Sequence, residues 1–581
     1  MKKLLIYLRN YKKESLLGPL FKLLEAAFEL LVPLIIAKII DQGILLADVP
    51  YILRMCLILV GLGIAGLASS LIAQYYAAKA AAGFGKELRH GLFDHIQGLS
   101  YAEIDQLGTS TLITRMTSDM NQVQSGVNMT LRLLLRSPFI VFGSMIMAFT
   151  IDFRVALIFV TAILLLSAVV FIIMSWCIPL YKKVQGKLDQ VLLLTRENLT
   201  GVRVIRAFCL EQEELQTFQE SNQQLTQVQK YVGRIAALMN PLTYIVINLA
   251  VVWLIWTGAV QVSTGLLTQG AVVALYNYMS QILTELIKLA NLIITVNKSI
   301  ACGNRIQDVF QVSSSLQVVS DSAKSSKIVS RPPAIEFRRV QLCYSQTGDC
   351  ALSHMDFTIG QGETVGIIGG TGSGKSSLVH LIPRFYDVTE GEVLVDGINV
   401  KEYPLENLRQ KIGMVPQKAV LFKGTIRENL KWGKKDATDQ EIFQALTTAQ
   451  AEEVVNGKGG LDYLIHQDGK NLSGGQRQRL TIARALVRQP QILILDDSAS
   501  ALDFATDAAL RKAIAALDPR PTVLIVSQRT SSIQHCDKII VLDDGQIAGI
   551  GTNDQLMKTC DIYQEIYQSQ FKKEDALDEQ A

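Results

Sequence analysis

At 581 residues, with 49% hydrophobic and only 19% charged residues, the chain is too long for one compact core and too apolar for an ordinary soluble enzyme. Its 56 Lys and Arg nearly balance 53 Asp and Glu, and a net charge of +3 leaves no electrostatic footprint for nucleic acid. The eight cysteines, Cys56, Cys177, Cys209, Cys302, Cys343, Cys350, Cys536 and Cys560, have neither CxxC nor Cys/His metal spacing and read as reduced thiols.

Met1–Lys13 is basic but lacks a cleavage-site pattern, so it reads as a cytoplasmic flank and not as a removable signal peptide. Six apolar stretches of spanning length follow, at about 16–40, 52–78, 133–151, 155–178, 242–262 and 272–296. The first is the weakest, because Lys22, Glu25, Glu29 and Lys38 interrupt it; such charges must face other helices, a watery cavity or the interface. Segments after spans one, three and five are short. Those after spans two and four are long and rich in Lys and Arg, among them Lys86, Arg89, Arg115, Lys182, Lys183, Arg203 and Arg206. The positive-inside rule puts these loops and both termini in the cytoplasm, as a multi-pass protein of the cytoplasmic (inner or plasma) membrane.

The long loops keep apolar residues at helical spacing with few Gly or Pro, as in Leu112–Val123 and Val184–Leu199, so the helices are expected to continue below the bilayer. Residues 1–315 form this all-α polytopic membrane domain. A linker at 316–334 contains Arg331-Pro332-Pro333. From Ile335 short β-rich runs alternate with helices, and Val365–Ile368, Ile492–Leu495, Val523–Val526 and Ile539–Leu542 read as buried parallel strands of an α/β domain over 335–571. The polar residues 572–581 read as a disordered tail.

Gly369-Gly370-Thr371-Gly372-Ser373-Gly374-Lys375-Ser376 matches GxxxxGK[ST] between an apolar strand and a helix-like run that starts at Ser377. Glycines let backbone N–H groups curl round phosphates, Lys375 adds a positive charge, and the Ser376 hydroxyl can ligate Mg²⁺. Ile492–Asp496 is an apolar strand ending in an acid, the form of a Walker B strand whose Asp496 helps to hold the metal. Between them lies Leu472-Ser473-Gly474-Gly475-Gln476, a second element able to offer helix N-terminal donors to an anion.

With LSGGQ the sequence resembles the ABC transporter family, in the exporter order of membrane domain first and ATPase last, over essentially the whole chain. The resemblance extends to Glu197–Gly201 with Val204–Phe208, similar to the family's second intracellular loop. It implies ATP and Mg²⁺ as cofactors, no nucleic-acid partner, and a head-to-tail pair of subunits in which each signature completes the other's site. Tyr344 stands where the family stacks an aromatic on adenine. Gln417 resembles the Q-loop residue that senses Mg²⁺ and the γ-phosphate, and Ser500-Ala501-Leu502-Asp503 resembles the D-loop.

Two positions depart from the pattern. The family's general-base Glu is Asp497 here, whose carboxylate falls about 1 Å short of a water placed for Glu, a displacement worth on the order of 10²-fold. The usual switch His is Gln528, which can donate to a phosphate oxygen but cannot carry a positive charge. Together with the intact signature, these changes resemble the degenerate-site subunit of heterodimeric bacterial multidrug exporters. The expected partner is a different half-transporter with Glu and His at those positions.

Aromatic and sulfur side chains in the spans (Phe139, Met145, Met147, Trp176, Tyr244, Trp253, Trp256, Tyr276, Met279) suit either an adaptable cavity for amphipathic molecules or ordinary packing and lipid contact. Lipid translocation, or a silent ATP-binding regulatory role, are the alternatives to drug efflux. Glu25 and Glu29, one turn apart, either meet a cationic substrate or pair with bases on neighbouring helices, and Asp41 is a candidate for closing an outer gate. Coupling to the ATPase is expected through Tyr101–Gln106 and Phe208–Glu213.

Overall fold

The protein is described by a computed structural model covering residues 2–316, 332–344 and 350–578. It divides into two compact units, Met1–His95 with Ser110–Gln311, and Ile96–Thr109 with Val312–Ala581.

The first unit is helical, its main helices being Lys12–Lys38, Val49–Gln97, Met120–Leu133, Arg136–Ile151, Phe153–Thr200, Glu211–Ala237, Met239–Ser263 and Gln269–Gln311. Those of 49, 48 and 43 residues reach roughly 65–75 Å at 1.5 Å per residue, about twice the hydrocarbon thickness, as the helical loops led us to expect. Five described stretches are long and apolar enough to cross a membrane: Val49–Gln97, Thr109–Ile151, Phe153–Thr200, Glu211–Ser263 and Gln269–Gln311. The expected sixth, Lys12–Lys38, has the length at 27 residues but carries Lys22, Glu25, Glu29 and Lys38. Packing follows membrane logic. Small residues such as Ala26, Ala77, Ala148, Ala156 and Ala274 are buried at helix contacts, while Leu53, Leu57, Phe171 and Trp256 point outward with at least 70% exposure.

Lys22, Glu25 and Glu29 of the first helix are paired. Lys22 donates to Glu25 at 2.6 Å and to Ser70 at 3.3 Å. The buried Arg136, at the start of its helix, donates to Glu29 at 2.7 Å and to Glu285 at 2.5 Å, with Glu25 at 3.9 Å. Ser137 and Lys288 complete Glu285, each at 2.8 Å. Three bases therefore meet three acids, and Glu25 and Glu29 take the paired alternative, chiefly with an arginine rather than a lysine. Toward one end, Asp41 accepts from the Gly270 amide at 2.8 Å, tying the turn after the first helix to the start of the last. A Cβ on Gly270 would stand 2.3 Å from the Ala37 carbonyl oxygen, so that contact requires glycine. Of the aromatic and sulfur set, Met279 is core, Met145 and Met147 are half-buried, and the tryptophans are exposed.

In the second unit, β1 (Ile335–Leu342), β2 (Leu352–Ile359), β4 (Glu390–Val395) and β5 (Ile398–Asn399) form an antiparallel sheet in the order β2-β1-β4-β5. A six-stranded sheet runs β12-β11-β3-β10-β9-β6, from β3 (Thr364–Gly369), β6 (Ile412–Val415), β9 (Ile492–Asp496), β10 (Thr522–Val526), β11 (Lys538–Asp543) and β12 (Gln546–Gly551). β7 (Gly424–Thr425) and β8 (Leu464–Ile465) make a small ladder. Every residue of β9 and β10 is buried, as parallel strands covered on both faces require.

One sequence expectation is corrected here. Cys343 and Cys350, read as thiols, are joined by a disulfide although they stand seven residues apart in sequence. The other six are free. Residues 317–331 of the expected linker lie outside the described residues. The last helix, Asp561–Asp578, runs into the stretch read as a disordered tail, whose final three residues lie outside the described residues.

Candidate active site

Four neighbouring strands, β3, β10, β9 and β6, run parallel and end on one edge of the sheet. That edge is where open α/β sheets hold ligands. Each strand delivers expected residues: β3 runs into the loop Gly370–Gly374, β9 ends on Asp496 with Asp497 next, β10 leads to Gln528, and β6 to Gln417.

Gly372 and Gly374 adopt φ of 87° and 90°, the left-handed region that favours glycine. Cβ positions on Gly370 and Gly372 face open space, so the loop is uncovered beside these two residues. Lys375 folds back onto the carbonyls of Gly369 (2.9 Å) and Gly370 (2.5 Å) and onto Ser373 Oγ (3.3 Å). Its burial holds the ammonium below the ordinary lysine range, opposed by Asp497 and Asp496. Ser376 Oγ donates to Asp496 Oδ1 at 3.1 Å, and His380 Nε2 stands 3.7 Å from Asp496 Oδ2. Burial pushes the Asp496 carboxyl up, partly offset by Ser376 and His380. Asp497 is also raised by burial, with the Gln417 side chain hydrogen-bonded to it and drawing it back. Its backbone is left-handed at φ 46°, with its amide donating to Val526 O at 2.9 Å and its carbonyl accepting from Ser500 Oγ at 2.8 Å.

The donor set fits a magnesium nucleotide. Ser376, Asp496 and Gln417 offer hard oxygen ligands, few in number, as suits a cation held largely by phosphates and water. When bound, it would supply the phosphoanhydride and a Lewis-acidic ion. Tyr344, 56% exposed, donates to Ser377 Oγ at 2.9 Å, which places its ring beside the phosphate-loop helix Lys375–Leu381.

Ser473 caps the helix Gly474–Leu486 in a reciprocal box with Gln476: the Gln476 amide donates to Ser473 Oγ at 3.3 Å, and the Ser473 amide to Gln476 Oε1 at 3.0 Å. Leu472 is buried as its anchor. Gly475 lies against the D-loop, since a Cβ there would stand 3.1 Å from the Ala501 carbonyl oxygen. Asp503 caps the helix Phe504–Ala515 through the Thr506 amide at 2.8 Å, and Leu502 is buried. Among the described residues no hydrogen bond joins Leu472–Gln476 to Gly369–Ser377, so the fold does not close signature and phosphate loop of one chain upon each other. The side chain of Gln528 is exposed.

Sequence reasoning missed a set of aromatics beside this site. The short helix Tyr101–Leu107 lies in sequence between membrane helices yet belongs to the second unit. Tyr101 stacks on Phe385 at 4.5 Å, and Tyr386 donates to Asp105 at 2.7 Å. The Tyr386 ring also meets Tyr344 edge-on at 5.2 Å. The signal available was Phe385-Tyr386 four residues past the phosphate-loop helix, an aromatic pair that the strand pattern does not use.

A phosphate loop and acid-tipped strand on a parallel sheet, fused to a bundle of membrane-length helices, define a membrane-bound P-loop ATPase. The comparisons narrow this. Residues 15–286 match the ABC transporter transmembrane region and residues 352–500 the ABC transporter family. An uncharacterized ABC transporter ATP-binding protein, YfiB of Bacillus subtilis, is 35% identical over 99% of both chains. The putative multidrug export ATP-binding/permease protein YgaD of the same species is 31% identical over 98% of both, and an ATP-dependent lipid A-core flippase of Syntrophus aciditrophicus is 31% identical over 84% of this chain and 80% of its own. A bacterial Atm1-family ABC exporter solved with ATP bound shares the fold, with TM-score 0.79 at 23% identity over 96% of this chain and 98% of its own. The chain belongs to the ABC transporter family, as an exporter-type half-transporter carrying an ATP-hydrolysing domain.

Proposed function

We propose that this chain is one half of a heterodimeric exporter that drives amphipathic small molecules out across the cytoplasmic membrane, with a slow ATP site of its own. The observation that carries this reading is the pair Asp497 and Gln528 at the ends of β9 and β10, beside an intact signature helix. The membrane domain over 1–315 crosses six times, Lys12–Lys38 included, because Lys22, Glu25 and Glu29 are paired within the bundle. Both termini and the ATPase domain, 335–571, then face the cytoplasm.

In this reading Tyr344 stacks on adenine, residues Gly369–Ser377 cradle the phosphates, and Ser376, Gln417 and Asp496 hold Mg²⁺. Asp497 is a short general base and Gln528 an uncharged switch. Leu472–Gln476 and the D-loop Ser500–Asp503 complete the partner's site, and the partner's signature completes this one. Closure of the two ATPase domains is passed to the helices through Tyr101–Leu107. The multidrug name of YgaD supports the substrate class. A second reading, lipid translocation, is favoured by relatives named as lipid A-core flippases, among them one of Pectobacterium atrosepticum at 29% identity.

The test is to purify the chain alone and together with a candidate partner half-transporter that carries Glu and His at the corresponding positions, then measure phosphate release and dye uptake by inverted vesicles. Slow hydrolysis alone and brisk coupled transport by the pair are expected. A chain that hydrolyses and transports alone as fast as the pair refutes the heterodimer. ATPase stimulated by lipid, with headgroup translocation and no dye transport, selects the lipid reading.

A further inference from the structure

The Cys343–Cys350 bond is an unusual feature for a domain that faces the reducing cytoplasm, where disulfides are mostly transient or redox-sensing. Its position is specific. Cys343 immediately precedes Tyr344, whose hydroxyl donates to Ser377 Oγ and whose ring meets Tyr386. Both cysteines are half-buried. The Gln341 side-chain amide donates toward both, at 3.1 Å to Cys350 and 3.6 Å to Cys343. A donor there stabilises the thiolate that leaves when the bond is opened.

We propose that Cys343 and Cys350 form a thiol–disulfide switch that sets the affinity of the ATP site by fixing or freeing Tyr344. The inference rests on the reading of Tyr344 as the adenine platform and of the ATPase domain as cytoplasmic. Formation needs a low-molecular-weight disulfide such as glutathione disulfide as oxidant. One cysteine thiolate attacks it, expelling a glutathione thiolate and leaving a mixed disulfide. The second cysteine thiolate then attacks the protein-bound sulfur and expels the other. Two electrons pass to glutathione, and the two thiol protons end on the two glutathione thiols. The bond closes a short loop, removing conformations that the reduced chain would have to give up when adenine docks. The oxidised form is therefore the tighter binder. Through Tyr386, whose ring touches Tyr344 and whose hydroxyl donates to Asp105, the same change reaches the short helix Tyr101–Leu107.

The test uses the full-length chain in detergent or nanodiscs, poised with glutathione disulfide or with dithiothreitol. Maleimide–polyethylene glycol shifts report the bond, and a fluorescent ATP analogue reports affinity. We expect two fewer modifiable thiols after oxidation, and nucleotide binding about fivefold tighter than in the reduced protein, a coupling of ordinary size. The double variant C343S/C350S should bind like the reduced protein under both conditions. Equal or weaker affinity in the oxidised form, or an unchanged thiol count with glutathione disulfide, overturns the switch. Y344A that binds nucleotide like wild type removes the adenine reading of Tyr344, and a redox shift that persists in Y344A overturns the switch as a device acting through that ring.

Discussion

Replacing Asp497 by Glu should raise hydrolysis at this chain's own site. The backbone of Asp497 is held at both ends, its amide on Val526 O at 2.9 Å and its carbonyl under Ser500 Oγ at 2.8 Å, so it cannot slide forward to compensate for a short side chain. One added methylene extends the carboxylate by about 1 Å, and misplacement on that scale costs on the order of 10²-fold. Against this, the left-handed φ of 46° suits Asp better than Glu, which takes back part of the gain. We expect a net rise of about 10- to 50-fold, roughly 1.4–2.3 kcal/mol in the barrier. The assay is phosphate release by the purified chain at saturating Mg-ATP, with ATP affinity measured separately. Affinity should stay within about twofold, because Lys375, Ser376 and the glycine loop are untouched; a difference that small is under 0.5 kcal/mol. A wild-type chain that already turns over at ordinary enzyme rates, with no rise in D497E, refutes the argument that reach limits this site.

Removing Arg136 leaves the buried Glu285 with only Ser137 and Lys288, and takes from Glu29 its arginine partner. R136A should lower the stability of the membrane unit by about 3–5 kcal/mol, seen as a falling midpoint in thermal unfolding of the solubilised protein. R136K, which keeps the charge but loses the fork, should lie between wild type and R136A, and E29Q should cost less than either. G270A forces a Cβ to within 2.3 Å of the Ala37 carbonyl oxygen and should destabilise the Asp41 contact by about 1–3 kcal/mol, read as faster hydrogen exchange at the start of Gln269–Gln311. Y386F removes the hydroxyl that donates to Asp105, so transport should fall further than ATP hydrolysis. Equal losses in both would show that the contact is structural only.

The membrane unit was legible in outline because spanning a bilayer imposes a one-dimensional rule: about 20 apolar residues, repeated, with Lys and Arg gathered in alternate loops. The catalytic motifs were legible for a similar reason. A phosphate loop or a strand ending in an acid is a local device, and its residues must be adjacent in sequence for the backbone to do its part. Asp497 and Gln528 could likewise be read by position against their motifs, although only the sheet order shows why they converge, with β10 inserted between β3 and β9.

What the sequence could not contain was the pairing of residues far apart along the chain. Glu29, Arg136 and Glu285 lie on three helices, and no periodicity announces that one guanidinium will satisfy two carboxylates inside the bundle. The first expected span looked weak by composition because hydropathy counts each charge as bare, whereas Lys22, Glu25 and Glu29 are paired inside the bundle. In the same way Cys343 and Cys350 have a spacing that means nothing until the fold brings their sulfurs together, and Asp105, within a segment expected to meet the ATPase, gains its particular partner Tyr386 only in the folded unit. Sequence thus determined the family and the residues of the phosphate loop, since each rests on contiguous residues. Tertiary structure alone decided which charges are paired, which thiols meet and which aromatics join Tyr344 to the helix Tyr101–Leu107, because those depend on distances that the chain closes only when it folds.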